Sequence, residues 1–547
     1  MDNKLLADIL FPDVSKTVED LEKKYPERNT KGNITRLGPS PTGFIHLGNL
    51  YGAYVDERLA HLTDGGVIIL RIEDTDDKRK VEGAEKLLIE ALKEYDIEFD
   101  EGVTIDGDMG EYGPYHQSER VDIYKTVAKY MVERGYAYPS FVTEEELNEI
   151  RTEQEKKKVN TGYYGDWAKD RNLTAEEIRD KINSGLLWTL RLKSKGNPEE
   201  TLKIKDGIRK EVVIHPNNQD IVLLKVNKVP TYHFAHVVDD HFMRITHVVR
   251  GEEWLSTLPI HIEIFDMLGW MHPLYCHTAH IMKMDGEVKR KLSKRKDPEL
   301  SLGFYKEKGY FKEAVKEYLM SIINSDFEEW REKNPLVEIT EFPFNLNRMS
   351  SSGALFDLDK LEHFSKEVIS KISEDEIYKR LLNWVKIYKE DMIDEVVQNE
   401  DSVKKIIGIG RSDKKPRKDL ISCFQIFEFI DYCFDKTYTI KDSLPDEIEP
   451  DDAKIILLKY METLDFNDDK EQWFDKVKAI CEKNNYAVKM KDYKKNPENY
   501  KGSIAHLTTV IRLSYTGRAN SPDIWEIANA LGETKVRNRI LKYIDKL

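Results

Sequence analysis

Apolar residues recur at helical spacing through VEGAEKLLIEALKEYDI (81–97), which predicts an amphipathic helix. Just before it, GGVIILRIED (65–74) is a short β-branched run bounded by glycines and ending in acids, which predicts a strand. Upstream, a strand-like start near Ile34 leads into a Pro/Gly-rich turn, GPSPTG (38–43), and then a helix from His46 to about His61. Strand, turn, helix, strand and helix together open an α/β parallel sheet. Residues 115–220 are more mixed: a lysine-rich helical run, TEEELNEIRTEQEKKK, precedes the strand candidates LLWTLRLK and KEVVIH. A second apolar α/β block is expected to begin at IVLLKV (221–226) and to continue through ITHVVRGEEW (245–254). The first block is thus interrupted by about 100 residues, enough chain for one extra domain. From 301 onward helical periodicity dominates, as in FDLDKLEHFSKEVISKI and SPDIWEIANALGETKVRNRILKYI, which predicts an all-helical C-terminal third. Residues 1–33 are polar and helix-prone and read as an N-terminal extension.

Length and charge narrow the function. At roughly 150 residues per domain, 547 residues predict three or four domains and exclude a lone binding module. The balance of 85 basic and 100 acidic residues gives −15, which argues against a polybasic coat for nucleic acid but permits local basic patches. The four cysteines, Cys276, Cys423, Cys433 and Cys481, form no C-x2-C pair, so neither a zinc ribbon nor a disulfide framework is expected. The opening MDNKLLADILFPD has no basic n-region, and no run approaches the ~18 apolar residues of a membrane span. A reducing cytoplasm is the expected compartment.

Two segments carry candidate chemistry. In PTGFIHLGNL (41–50) a turn of small residues leads into a helix at His46, Leu47, Gly48 and Asn49. A helix N-terminus suits phosphate, and a glycine there lets a flat group approach the backbone. In KRKLSKRK (289–296) six of eight residues are basic, a composition suited to offsetting charge on a transferring phosphoryl group. Taken alone, each also reads as an ordinary capped loop or a solvated basic loop.

Together these segments resemble the HIGH and KMSKS elements of class I aminoacyl-tRNA synthetases. TRLGPSPTGFIHLGN (35–49), LRIEDTD (70–76), GPYHQSER (113–120), PTYHFAHVVDDHFMRITHVVRGEEW (230–254) and KLSKRK (291–296) occur in the order seen in glutamyl-tRNA synthetases. RLSYTGRANSPDIWEIANALG (512–532) resembles the C-terminal end of the bacterial enzymes. The resemblance implies an α/β Rossmann catalytic domain split into 34–114 and 235–276. An inserted α+β acceptor-end-binding domain would occupy 115–234, and a stem-contact region with the KMSKS-like loop 277–345. An all-α anticodon-binding region would fill 346–455 and 456–547. The implied reaction joins L-glutamate to tRNA-Glu through a glutamyl-adenylate, with tRNA-Gln as a second acceptor to be tested. A monomer is the family expectation.

Site residues follow from matched positions. The resemblance implies that His46, Asn49, Lys291 and Lys294 serve catalysis, and that Gly48, Glu253, Ile281, Ser293 and Arg295 surround ATP, which arrives with Mg²⁺. It places Arg36, Arg250, Ser40, Glu73, Tyr232 and His236 around glutamate. The arginines would face the side-chain carboxylate, and Glu73 the ammonium. His236 stands where many relatives have Asn, which leaves its contact with substrate open. Many relatives carry a cysteine-containing zinc motif after an AY dipeptide, but AYPSFVT (137–143) has Ser140 and Val142 there, so no zinc is expected. The crowded His233, His236, His241 and His247 are accounted for by the resemblance, without a metal. Lys414, Lys415, Arg417 and Lys418, with Lys489, Lys491, Lys494 and Lys495, are candidate tRNA contacts. The competing readings are a glutaminyl-tRNA synthetase and a non-catalytic tRNA-binding paralogue.

Overall fold

The computed structural model describes residues 3–41, 45–76 and 81–547. Thr42 and Gly43 of the expected GPSPTG turn lie outside the described residues. The chain divides into two compact units, Met1–Leu302 with Leu319–Asp357, and Gly303–Tyr318 with Leu358–Leu547.

The first unit begins with helices α1 (Asn3–Leu10) and α2 (Val18–Lys24). Next come β1 (Ile34–Leu37), α3 (Leu47–His61), β2 (Val67–Leu70), α4 (Ala84–Glu94), β3 (Glu101–Thr104) and β4 (Gly107–Met109). The middle stretch carries α5 (Val121–Glu133), β5 (Ala137–Ser140), α6 (Glu144–Lys157), α7 (Ala175–Asn183), β6 (Thr189–Leu192), β7 (Leu202–Asp206), β8 (Lys210–Ile214) and β9 (Val222–Leu224). Then follow α8 (Tyr232–Phe242), β10 (His247–Gly251), α9 (Leu258–Leu268), β11 (Leu274–Thr278), β12 (Ile281–Asp285) and β13 (Val288–Lys291).

β1, β2 and β3 are parallel neighbours, with Ile34 opposite Val67 and Leu37 opposite Leu70. β10 and β11 are likewise parallel. Thr246 joins the two groups: its Oγ1 accepts from the Ile34 N–H at 2.8 Å, and its own N–H donates to the Ile34 carbonyl at 2.9 Å. Strands covered on both faces need apolar side chains throughout, and β2 (VIIL) is buried along nearly its whole length. The crevice beyond the carboxyl ends of β1 and β10 is where open α/β sheets take ligands.

The interruption between the two halves forms its own antiparallel sheet, β5-β6-β9. The IVLLKV run therefore belongs to the insert, since β9 pairs with β6 rather than joining the parallel strands. A short apolar run looks alike in either setting, so only the pairing decides. The β7–β8 hairpin attaches to β11 through Asp206 opposite Tyr275.

The N-terminal extension is a strap rather than an appendage. Leu6, Ala7 and Leu10 form the buried face of α1. Glu22 pairs with His241 at 2.7 Å and with Arg244 at 2.5 Å. Tyr25 is fully buried and donates its hydroxyl to the Gly113 carbonyl. Arg28 pairs with Glu101 at 2.6 Å.

The second unit is built mainly of helices such as Leu358–Ile369, Glu374–Tyr388, Pro450–Thr463 and Ile504–Thr516, around a core containing Leu381, Trp384, Ile406, Trp473 and Trp525. It departs from an all-helical composition at one point, where Tyr486–Ala487 pair in parallel with Gly502–Ser503. The predicted last helix breaks at Gly532 into Ile524–Leu531 and Glu533–Ile544.

Candidate active site

A cleft of about 690 Å³ opens beyond the carboxyl ends of β1 and β10. Arg36, Ser40, His46, Gly48, Asn49, Glu73, Tyr232, Arg250, Glu253, Ile281, Lys291 and Lys294 all line it. Most of the residues singled out from sequence thus converge, although they span some 260 positions of chain.

At one end His46 caps α3. Its Nδ1 accepts from the Asn49 N–H at 3.2 Å, and the Asn49 side-chain oxygen accepts from the His46 N–H at 3.0 Å. This reciprocal box satisfies two orphan donors of the helix. Because Nδ1 accepts, the neutral ring carries its proton on Nε2. Burial, then Lys294 and Lys291, push the His46 pKa down to about 4, so the ring is neutral at pH 7. Gly48 lies beneath that ring, where a Cβ would stand 3.0 Å from it.

Lys291 ends β13, and Lys294 sits on the exposed turn that follows. Buried Asp297 anchors this loop by accepting from Arg290 at 2.6 and 2.9 Å and from the Ser293 N–H at 2.8 Å. The Arg290 hydrogen bonds lead in holding the Asp297 pKa down to about 2. Ser293 and Arg295, expected around ATP, do not line the cleft; the Ser293 N–H is engaged by Asp297 instead. The Ile281 carbonyl already accepts from the Leu292 N–H at 3.1 Å.

The other end holds the arginines. Arg36 is buried; its Nε donates to Asp240 at 3.3 Å and its Nη1 to the Val249 carbonyl at 3.4 Å. Arg71, which sequence reasoning passed over, is fully buried between Asp240 at 2.6 Å and Glu73 at 3.1 Å. Glu73 is therefore a shared acid. Burial raises its pKa while Arg71 and Arg36 oppose the rise. A Cβ on Gly38 would meet the Glu73 carboxylate oxygen at 2.4 Å, so a side chain there would displace that carboxylate. Tyr232 and Trp254 form an aromatic wall, with ring centroids 4.5 Å apart. His236, whose contact with substrate the sequence left open, is set apart from these residues. It is fully buried behind that wall, bonds the Tyr275 hydroxyl at 3.0 Å and does not line the cleft.

Asp56 also lines the cleft, 1% exposed, with neither carboxylate oxygen hydrogen-bonded. Burial pushes its pKa well up, and the nearby Arg36 does not offset this. A carboxyl group whose folded pKa is raised gives stability that is full below the unfolded value near 3.9 and is lost as pH rises through the folded value. Asp56→Asn is therefore expected to be more stable than the parent at pH 7, with the gap closing toward pH ~4. Thermal melting across that range checks it.

Among the described residues the only group spaced for a cation is Asp108, His116 and Glu119; it includes none of the crowded histidines. In the insert, Ser140 donates its hydroxyl to Asp170 at 3.0 Å, and Val142 packs against the apolar cluster of Tyr138, Ile150 and Tyr163. In the second unit Lys414, Lys415 and Lys489 are exposed. Arg417 is tied to Asp419 at 2.7 Å and to the Ile407 carbonyl, and Lys418 to Glu367 at 2.7 Å, so those two are engaged within the fold.

Residues 34–363 match the family described as tRNA synthetases class I (E and Q), catalytic domain. The glutamate–tRNA ligase of Acetivibrio thermocellus is 58% identical, covering all of both chains. That of Clostridium perfringens strain SM101 is 45% identical over 98% of this chain and 99% of its own. The crystal structure of a glutamate tRNA ligase from Elizabethkingia meningosepticum, in complex with its amino acid, superposes with a TM-score of 0.77. It is 27% identical and covers 94% of this chain and all of that one.

Proposed function

The chain belongs to the class I tRNA synthetases of the glutamate and glutamine group, and on that premise we propose that it attaches L-glutamate to tRNA-Glu at the expense of ATP. One observation carries the reading. The capped His46–Asn49 turn and the Lys291–Lys294 loop share a single cleft with Glu73 and an arginine pair.

The reaction proceeds in two steps. The α-carboxylate of glutamate attacks the α-phosphorus of ATP; the bond to the bridging oxygen breaks, and pyrophosphate leaves. A ribose hydroxyl of the terminal adenosine of tRNA then attacks the activated carbonyl, and AMP leaves. The protein's part is positioning and electrostatics. Neutral His46 donates from Nε2 to a phosphate oxygen, and the Asn49 amide lies beside it. Lys291 and Lys294 offset the charge growing on the leaving pyrophosphate. Mg²⁺ comes as part of the nucleotide substrate. The cleft suits this, since Glu73 is held by Arg71 and, among the described residues, no group of carboxylates at the lysine end is spaced for a cation. Glu73 keeps its second oxygen for the substrate ammonium, and Arg250 faces the side-chain carboxylate. The hydrogen-bonded Ser140 and the packed Val142 support a zinc-free insert. Exposed Lys414, Lys415 and Lys489 are the proposed tRNA contacts, and their contribution falls with salt.

A charging assay tests the function. Labelled glutamate or glutamine is supplied with ATP, Mg²⁺ and transcripts of tRNA-Glu or tRNA-Gln. Glutamate is expected on tRNA-Glu, and label on tRNA-Gln identifies a non-discriminating enzyme. Esterified glutamine with no esterified glutamate would sink the reading.

A further inference from the structure

Behind the cleft, Arg36, Arg71 and Arg120 share the carboxylates of Asp239, Asp240 and Glu73. Arg250 is different. Among the described residues no carboxylate stands within ion-pair distance of it, and every acceptor it meets is neutral. Its Nε donates to Nε2 of His277 at 3.0 Å, its Nη1 bonds Nδ1 of His261 at 3.1 Å, and its Nη2 donates to the Trp254 carbonyl at 3.4 Å. A guanidinium only donates, so both imidazole nitrogens accept and both rings are neutral. Each ring is fixed from its far side. His277 Nδ1 then donates to Asp206 at 2.7 Å, and Asp206 also accepts from the Ile208 and Arg209 N–H groups at 2.9 and 2.8 Å. His261 Nε2 lies 3.1 Å from His233 Nδ1. The Tyr275 ring closes one face of the guanidinium, with its centroid 4.6 Å away. Burial leads in lowering the pKa of both His261 and His277, in keeping with neutral rings.

Three of the five N–H groups of Arg250 are thus fixed, leaving one on each terminal nitrogen. Two such N–H groups are what a carboxylate takes when it is held by two hydrogen bonds. An acidic residue in place of either histidine would hold the guanidinium equally well but would cancel its charge. An amide oxygen would then be received nearly as well as a carboxylate. The neutral holders therefore separate two tasks, orientation and charge, that a carboxylate holder would merge.

We infer that His261 and His277 are positioning residues that aim Arg250 while leaving its charge uncancelled, and that they thereby set the preference for a side-chain carboxylate over an amide. This rests on the charging reaction proposed above.

The test uses the full chain with tRNA-Glu transcript and compares His261→Gln with His261→Glu. These replacements are close in shape, accept the same hydrogen bond and differ in charge. For H261Q, KM for glutamate is expected to stay within about fivefold of the parent. For H261E it should rise at least ~30-fold, while KM for ATP stays put and the glutamate-over-glutamine ratio of kcat/KM shrinks by a similar factor. Should H261E fail to fold, His277→Ala is expected to raise KM for glutamate by about 10–100-fold, with His277→Asn restoring most of it through its side-chain oxygen. Equal effects of H261Q and H261E overturn the inference. So does a KM for ATP that moves in parallel, or an H277A protein that binds glutamate normally. A parent protein that charges no glutamate defeats the functional reading itself, a separate outcome.

Discussion

Lys294→Ala is expected to lower the rate of tRNA charging by about 10²–10³-fold, with the melting temperature unchanged. The two halves of that expectation have separate causes. Lys294 is exposed on the turn after β13, and the loop it rides on is anchored by Asp297 with Arg290 and the Ser293 N–H, none of which changes. The anchor of the loop therefore survives the loss. Charge on the pyrophosphate grows during the transfer, so a cation placed beside it acts on the transition state more than on bound ATP. The loss belongs in kcat, with KM for ATP moving less. Lys291 lies 3.4 Å from His280 and has less reach, so its removal should do less. Single-turnover charging, followed beside a thermal melt, checks both halves. A rate within threefold of the parent would remove Lys294 from the proposed mechanism.

Asp240→Asn is expected to destabilise the protein by about 3–5 kcal/mol at pH 7 and to raise KM for glutamate. Asp240 is buried, and its Oδ1 accepts from Arg71 at 2.6 Å and Arg36 at 3.3 Å. Burial alone would raise its pKa, but the two arginines outweigh burial and hold it below the ordinary value. A depressed carboxyl pKa gives stability that is present above the unfolded value near 3.9 and is lost as pH falls through the folded value. The parent should therefore lose this contribution only in acid, and the variant should show a flatter slope there. Calorimetric unfolding between pH 3 and 7 decides. An unchanged melt at pH 7 would mean that the arginines do not depend on this acid. The contrast with Asp56 is direct: two buried aspartates act on Arg36, and removing the charge is expected to harm at one and help at the other.

Burial periodicity is local, which explains how much of this was legible beforehand. The helix after His46, the VIIL strand and the helices of the last third each show their own face in 10 to 15 residues of sequence. The residues of the cleft were legible through ordered motifs, with His46, Asn49, Lys291, Lys294, Glu73 and Arg250 all lining it. Their hydrogen bonds were not. His46 was expected to serve catalysis, but nothing in its motif showed that Nδ1 is engaged with the helix it caps and only Nε2 is left to donate. The importance of Arg71 was hidden because Asp240 lies 169 positions away. Its one local sign was a charge standing at the end of an apolar strand run, GGVIILR. His236 was placed with the substrate contacts by its motif, but one helical turn separates the wall from what lies behind it. For the IVLLKV strand the apolar pattern and the family resemblance disagreed, the second α/β block against the insert, and its pairing with β6 sides with the insert, because an apolar run does not announce its partner.

The strap formed by α1, α2 and the segment through Arg28 closes on residues made much later. Glu22 waits for His241 and Arg244, 219 and 222 positions downstream. At about 5–20 residues per second, synthesis of that intervening chain takes roughly 10–40 s. For all of that time the Glu22 clamp stays open, although α1 and Phe11, almost wholly covered once folding ends, already have α5, α7 and Trp188 to rest on. The catalytic half of the protein is consequently not a module that can mature as it leaves the ribosome. Its first helix finds its partners early, whereas a nascent chain halted before His241 leaves Glu22 without either of its own.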